Sequence, residues 1–211
     1  MAIVLSLLIS PNIGYWGGVL WARFNSYTTP MPITIKGRHN IEKNRSYVLV
    51  ANHQSYYDIL VLVGFLPLNL KWVMKNELRK VPFFGYACEK VGHIFVDRSD
   101  RKAAVASIAR AKKQIQKGTG IMFMPEGTRS ATGQLLKFKK GAFMFAKQID
   151  LPLVPVTISG TKDILPKHTM DLFPGRAYIT IHEPIDPSGY GKDNIDELID
   201  LAKNRIQQGL T

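Results

Sequence analysis

Short runs that are apolar at nearly every position recur along this chain, and amphipathic stretches separate them. Tyr47–Ala51 (Tyr-Val-Leu-Val-Ala) and Ile121–Met124 are the clearest. A strand without polar alternation has both faces buried, as in a parallel sheet covered by helices on two sides. Leu153–Ser159 and Arg176–His182 read as further strands, and Ile33–Lys36, Lys71–Met74 and His93–Val96 as shorter ones. Helical spacing fills the gaps. Ser99–Lys117 puts Ala104, Ile108, Ala111 and Ile115 on one face, with Ser99 placed to cap it and Gly118 to stop it. Asp193–Gln208 aligns Ile195, Leu198, Ile199, Ala202 and Ile206 in the same way. Tyr56–Leu66, ended by Pro67, Phe84–Val91 and Gly141–Gln148 complete the helices. The alternation predicts an α/β fold with a mostly parallel central sheet flanked by helices. At 211 residues and 45% apolar, the chain has enough material for one such body.

The first 22 residues do not belong to that pattern. No charged side chain precedes Arg23, and about 20 apolar residues suffice to cross a bilayer. Pro11 interrupts the run, because it removes a helix donor and clashes with the preceding turn. Two apolar pieces result, Ala2–Ile9 and Ile13–Ala22, joined by a bend at Ser10-Pro11-Asn12. A secretory signal would carry a positive leader, which is missing here. A kinked spanning helix, a re-entrant or interfacial hairpin with Tyr15, Trp16 and Trp21 at headgroup depth, and a buried helix pair stay open. Residues 1–28 are therefore set apart as a membrane-associating helical segment, and residues 29–211 form the main domain.

Charge is concentrated in the middle. Residues 71–147 hold seventeen basic and five acidic side chains, a balance of +12, against +3 before and −3 after. Such a field draws polyanions, phosphorylated small molecules or an anionic bilayer. The plainer reading is a solvated set of lysines that aids solubility. Cys88 is the single cysteine, which excludes an internal disulfide framework, and no Cys or His spacing suggests a metal site.

Chemistry collects where strands end. Asn52-His53-Gln54-Ser55-Tyr56-Tyr57-Asp58 follows a buried strand, and the carboxyl ends of strands hold the ligand site in α/β folds. His53 suits proton transfer, and a carboxylate on its other ring nitrogen would fix its tautomer. Asp58 has two readings. It can meet a loop histidine from the first helical turn, or it can close the capping box Ser55-Tyr-Tyr-Asp58. Met124-Pro125-Glu126-Gly127-Thr128-Arg129-Ser130 follows another strand, with a glycine for close backbone approach, hydroxyls and a guanidinium fork suited to phosphate. Ile94–Arg98 ends in Asp97-Arg98, and Leu153-Val154-Pro155-Val156 reads as wall or core.

These four blocks, in this order, resemble those of the glycerophospholipid acyltransferase family, and most closely its bacterial 1-acylglycerol-3-phosphate acyltransferase group. The resemblance covers roughly residues 29 to 185, with Met124 where the family more often has Phe. It implies a transferase that moves a fatty acyl chain from acyl-CoA or acyl carrier protein to the sn-2 hydroxyl of lysophosphatidic acid. His53 would be the general base and Asp58 its support. Glu126, Gly127, Thr128 and Arg129 would hold the glycerol phosphate, with Arg98 and Lys75 assisting. The resemblance also implies an N-terminal membrane-associating segment, and with it a place at the inner face of the cell membrane, the catalytic domain on the cytoplasmic side. No cofactor or metal is expected, and nucleic acid is not an expected partner. Other acceptors, such as glycerol 3-phosphate or another lysophospholipid, stay open, as does a non-catalytic anion binder.

Overall fold

The computed structural model describes residues 11–96, 112, 115 and 117–210. Helix α1 (Pro11–Thr28) precedes β1 (Ile33–Lys36), and β2 (Tyr47–Ala51) leads into α2 (Tyr57–Phe65). Then come β3 (Asn69–Lys75), α3 (Phe84–Val91), β4 (Ile94–Val96) and β5 (Thr119–Phe123). The remainder is α4 (Gly141–Ile149), β6 (Leu153–Ser159), the short α5 (Thr161–Ile164), β7 (Ala177–Ile181) and α6 (Ile195–Gln208). Among the described residues the strands form one sheet in the order β1-β7-β6-β2-β5-β3-β4. Every neighbouring pair is parallel except β6 with β7. Strands β2 to β6 therefore all end at one edge of the sheet.

The apolar runs explain the two layers of helices. Within β2, Leu49 and Ala51 face one core with Val61 and Leu62 of α2. Val48 and Val50 face the other, with Phe143 and Ala146 of α4 and Leu198 and Ala202 of α6. All five β2 residues are buried, as the absence of alternation requires. Each large side chain so buried contributes about 1.5–3 kcal/mol. Pro155 sits inside central β6, an unusual place for a residue without a backbone donor. Its carbonyl accepts from His182 just beyond β7, so its missing N–H falls at the end of that ladder.

Element bounds shift by a few residues from the sequence reading; the last helix, for instance, starts at Ile195 rather than Asp193. Of the helix expected over Ser99–Lys117, nearly all lies outside the described residues, and so does Arg98.

The second apolar piece, Ile13–Ala22, lies within a longer helix. Helix α1 runs from Pro11 to Thr28, past Ala22 and through Arg23. Proline fits a first helical turn, where its missing donor costs nothing. Ala2–Ile9 lies outside the described residues. The helix packs on α2 through Val19 and Ala22, and Gly64 allows close contact, since a Cβ there would stand 3.2 Å from that of Ala22. Arg23 Nε donates to the Gly64 carbonyl at 2.9 Å, satisfying an orphan acceptor at the end of α2. Tyr15 departs from the expectation that grouped it with the tryptophans. It is half-buried and its hydroxyl donates to the Leu68 carbonyl, whereas Trp16 and Trp21 are exposed. Among the described residues no helix is long and apolar enough to cross a membrane.

One half-buried base makes the fold acid-sensitive. His93, at the entry to β4, accepts the Trp72 N–H on Nδ1 at 3.3 Å. Burial first, and the Lys71 charge second, push it down from 6.5 to about 4. The unfolded chain takes up this proton below about pH 6.5, while the folded chain refuses it until about pH 4. Stability is therefore expected to fall across that window, by at most about 3 kcal/mol at 1.36 kcal/mol per pH unit. Urea unfolding at pH 7 and pH 4.5 checks this. His93→Asn, which keeps an acceptor for Trp72, should flatten the dependence, and an unchanged slope would remove His93 as its cause.

Candidate active site

Two loops leave adjacent strands at the carboxyl edge and clamp one another. Strand β2 pairs with β5, Val50 opposite Phe123. The loop after β2 carries His53 and the loop after β5 carries Glu126. Glu126 Oε1 accepts the His53 N–H at 2.9 Å, and the Ser130 N–H donates to the His53 carbonyl at 2.8 Å. The peptide of His53 is thus held on both sides. Glu126 Oε2 accepts the Leu136 N–H at 3.1 Å, so both its oxygens are committed to backbone. Burial pushes its carboxyl up from the ordinary value, against these two donors.

Asp58 is fully buried in the first turn of α2. Its Oδ2 meets His53 Nδ1 at 2.8 Å and accepts the N–H groups of Gln54 at 2.7 Å and Ser55 at 3.0 Å. Its Oδ1 accepts from the Thr161 hydroxyl. The two readings of Asp58 are therefore one arrangement. The carboxylate closes the capping box on Ser55, and the same oxygen reaches His53. An oxygen already accepting two backbone donors acts as an acceptor toward Nδ1 as well. This arrangement favours the tautomer with the proton on Nδ1, in which the neutral ring has its lone pair on Nε2. Ser55 Oγ completes the turn by accepting the Tyr57 N–H and donating to the Leu165 carbonyl.

Gly127 has φ +73, and a Cβ there would stand 2.7 Å from Lys139 Nζ. Glycine at this turn brings a lysine ammonium directly over the backbone. Thr128 is exposed. The Arg129 guanidinium lies 3.7 Å from the centroid of the Tyr56 ring, which flattens and orients it. The Arg129 carbonyl accepts from Lys167 Nζ at 2.8 Å. Lys75 is exposed at the carboxyl end of β3, next to β5. It shares the edge with His53 and Glu126 but stands two strands from β2.

Sequence reading assigned no role to three contributors. Asn52 is buried and bridges β2 to β6, donating to the Ile158 carbonyl and accepting its N–H, both at 2.8 Å. Thr161 arrives from β6, 103 positions beyond Asp58, after Gly160 at φ +85. A Cβ on Gly160 would collide with the Arg176 carbonyl, so glycine makes this turn possible. Lys139 is brought over Gly127 by a hydrogen bond from its own N–H to the Pro125 carbonyl, at 2.9 Å. Nothing local in the sequence announces such long-range partners. Cys88 takes no part: it is half-buried on α3, and burial pushes its thiol up to about 11, so it is a poor nucleophile.

A protein-family model described as Acyltransferase matches residues 32–159, more than half of the chain and all four blocks. This chain belongs to the acyltransferase family. Among its acyltransferase relatives, a 1-acyl-sn-glycerol-3-phosphate acyltransferase of Chlamydomonas reinhardtii is 32% identical over 90% of this chain and 56% of its own length. The enzyme of that name from Saccharomyces cerevisiae is 33% identical, over 83% of this chain and 59% of its own length. This acyltransferase chain thus spans little more than half of those curated relatives. The crystal structure of the 1-acyl-sn-glycerophosphate acyltransferase PlsC from Thermotoga maritima is similar over 99% of this chain and 85% of that one, with a TM-score of 0.81 at 29% identity.

Proposed function

We propose that this chain transfers a fatty acyl group from a thioester to the sn-2 hydroxyl of lysophosphatidic acid, forming phosphatidic acid. The pairing of half-buried His53 with fully buried Asp58 carries the reading. His53 Nε2 takes the hydroxyl proton while the oxygen attacks the thioester carbonyl carbon. The tetrahedral adduct then collapses, the carbon–sulfur bond breaks, and the thiol leaves with the proton from His53. Asp58 holds the ring and balances the charge that forms on it. Acid–base help of this kind contributes about 10²–10⁴ in rate, and the rest comes from positioning and charge stabilisation.

Glu126 acts through the His53 peptide, whose N–H it holds. Gly127, Thr128 and Arg129 receive the acceptor phosphate, with Lys75 as a further cation along the edge and Arg98 assisting. The donor is acyl-CoA or acyl carrier protein, and no cofactor enters the chemistry. The uncharged N-terminal segment, with Trp16 and Trp21 exposed on α1, and the basic middle hold the domain against an anionic membrane, on the cytoplasmic face of the cell membrane. The activity named for the relatives supports the acceptor.

The test offers lysophosphatidic acid, glycerol 3-phosphate and lysophosphatidylcholine side by side to the purified chain, with a long-chain acyl-CoA and then acyl carrier protein as donor. Phosphatidic acid is the expected main product. Acylation of a different acceptor would overturn the acceptor assignment. Silence with both donors would overturn the reaction.

A further inference from the structure

Two loops at the sheet edge that carries His53 expose large apolar side chains to no purpose in the acyl-transfer geometry. The first follows β3 and runs into the first turn of α3. Leu78, Val81, Phe83, Phe84 and Tyr86 are all exposed there, Phe83 to 80%. Phe83 sits at φ +62, ψ −43, and the Phe84 N–H donates to the Pro82 carbonyl at 2.6 Å. That is a three-residue γ-turn of the strained hand, centred on a bulky residue. The strain holds an aromatic ring out in solvent. The second loop follows β6 and α5, where Met170 is 86% exposed and Leu172 and Phe173 are also exposed. The end of α1 returns to the same edge, since the Gly175 N–H donates to the Pro30 carbonyl and Thr29 bonds the Tyr57 hydroxyl.

Exposed apolar loops mark an interaction surface, and their charged neighbours identify the partner. Arg79 is paired with Glu89, but Lys75, Lys80 and Lys90 flank the first loop with no ion pair to a described residue. Lys90 lies 5.4 Å over the Tyr86 ring, and Lys167 precedes the second loop. At the first loop, protruding aromatic and aliphatic side chains framed by lysines suit an anionic lipid surface; the second loop carries exposed Asp171 between Met170 and Leu172 and adds apolar side chains rather than charge.

We propose that the loops at Leu78–Tyr86 and Met170–Phe173 insert into the surface of an anionic bilayer. They form two contacts outside the N-terminal segment, and they turn the His53 edge toward the lipid. The choice of occupant rests on the lipid-acceptor reading, and the location rests on the exposed side chains alone.

The test is flotation of the full chain with phosphatidylcholine vesicles, with and without phosphatidylglycerol. Phe83→Gly and the double variant Met170→Ser/Phe173→Ser are each expected to bind the anionic vesicles about tenfold more weakly. Phe83→Gly should at the same time raise the melting temperature, because glycine relieves the turn. Turnover of detergent-dispersed lysophosphatidic acid should not change. Weaker binding by a more stable chain is a result that a purely structural Phe83 cannot give. Wild-type binding by both variants would overturn the proposal and leave anchoring to α1. Equal binding of the wild type to both vesicle types would overturn the anionic partner. Conversion of a dimer to a monomer with vesicle binding intact would also overturn it, by assigning the patch to a second copy. Vesicle binding lost in the variants of a chain that acylates no acceptor would sustain this proposal and sink the acyl-transfer reading.

Discussion

Asp58→Ala is expected to abolish turnover and to weaken the fold in one stroke. The carboxylate receives two backbone N–H groups, the Thr161 hydroxyl and His53 Nδ1. Alanine leaves these donors facing each other in a buried site, and each buried group without a partner costs about 1–3 kcal/mol. A net loss of about 3 kcal/mol in urea unfolding follows once partial relaxation is allowed for. Asp58→Asn separates the two roles. It keeps the size and one acceptor, so the stability loss should shrink to about 1–2 kcal/mol. Its amide, however, removes the charge and turns donors toward N–H groups that already donate. The kcat should still fall by roughly 10³–10⁴, as when a histidine loses its orienting carboxylate. Near-normal kcat in the Asp58→Asn enzyme would reduce Asp58 to a helix cap.

Glu126→Gln is the second large effect. Two backbone donors point at this side chain, from His53 and Leu136, and an amide can accept well from only one of them. The mismatch should cost about 1–3 kcal/mol. Because burial raises the Glu126 carboxyl, the folded chain holds this proton more tightly than the unfolded one. The stability owed to that protonation is full below the ordinary carboxylate value and is lost as pH rises through the raised one, and Gln should abolish the slope. Catalysis should suffer through kcat, by about ten- to a hundredfold, with KM for the acceptor little changed, because Glu126 positions the His53 peptide. A raised KM at normal kcat would instead place the carboxylate on the acceptor, the role that the four-block resemblance implied for it.

The centre of the sheet was legible because β2, β5 and β6 are apolar without alternation, the pattern of a doubly covered sheet. Tyr47–Ala51 and Leu153–Ser159 are strands to the residue. Helix ends were less legible, since Arg23 continues α1 by satisfying a carbonyl on α2, a tertiary contact that local pattern does not contain. The site divides in the same way. His53 and Asp58 lie five positions apart on one strand-to-helix turn, so spacing allowed them to meet but left the helix-cap reading of Asp58 open. The roles of Thr161, Asn52 and Lys139 were invisible because their partners come from other strands and loops. Tyr15 misled because an aromatic residue between apolar neighbours looks the same whether its hydroxyl meets headgroups or the Leu68 carbonyl.

Acyl transfer from long-chain acyl-CoA or acyl carrier protein to lysophosphatidic acid, measured for the wild type and for His53→Ala at matched melting temperature, tests the central claim most directly. The expected result is phosphatidic acid from the wild type and at least a thousandfold less from the variant, about the upper range for one acid–base group. A folded His53→Ala chain that turns over at near the wild-type rate would contradict it.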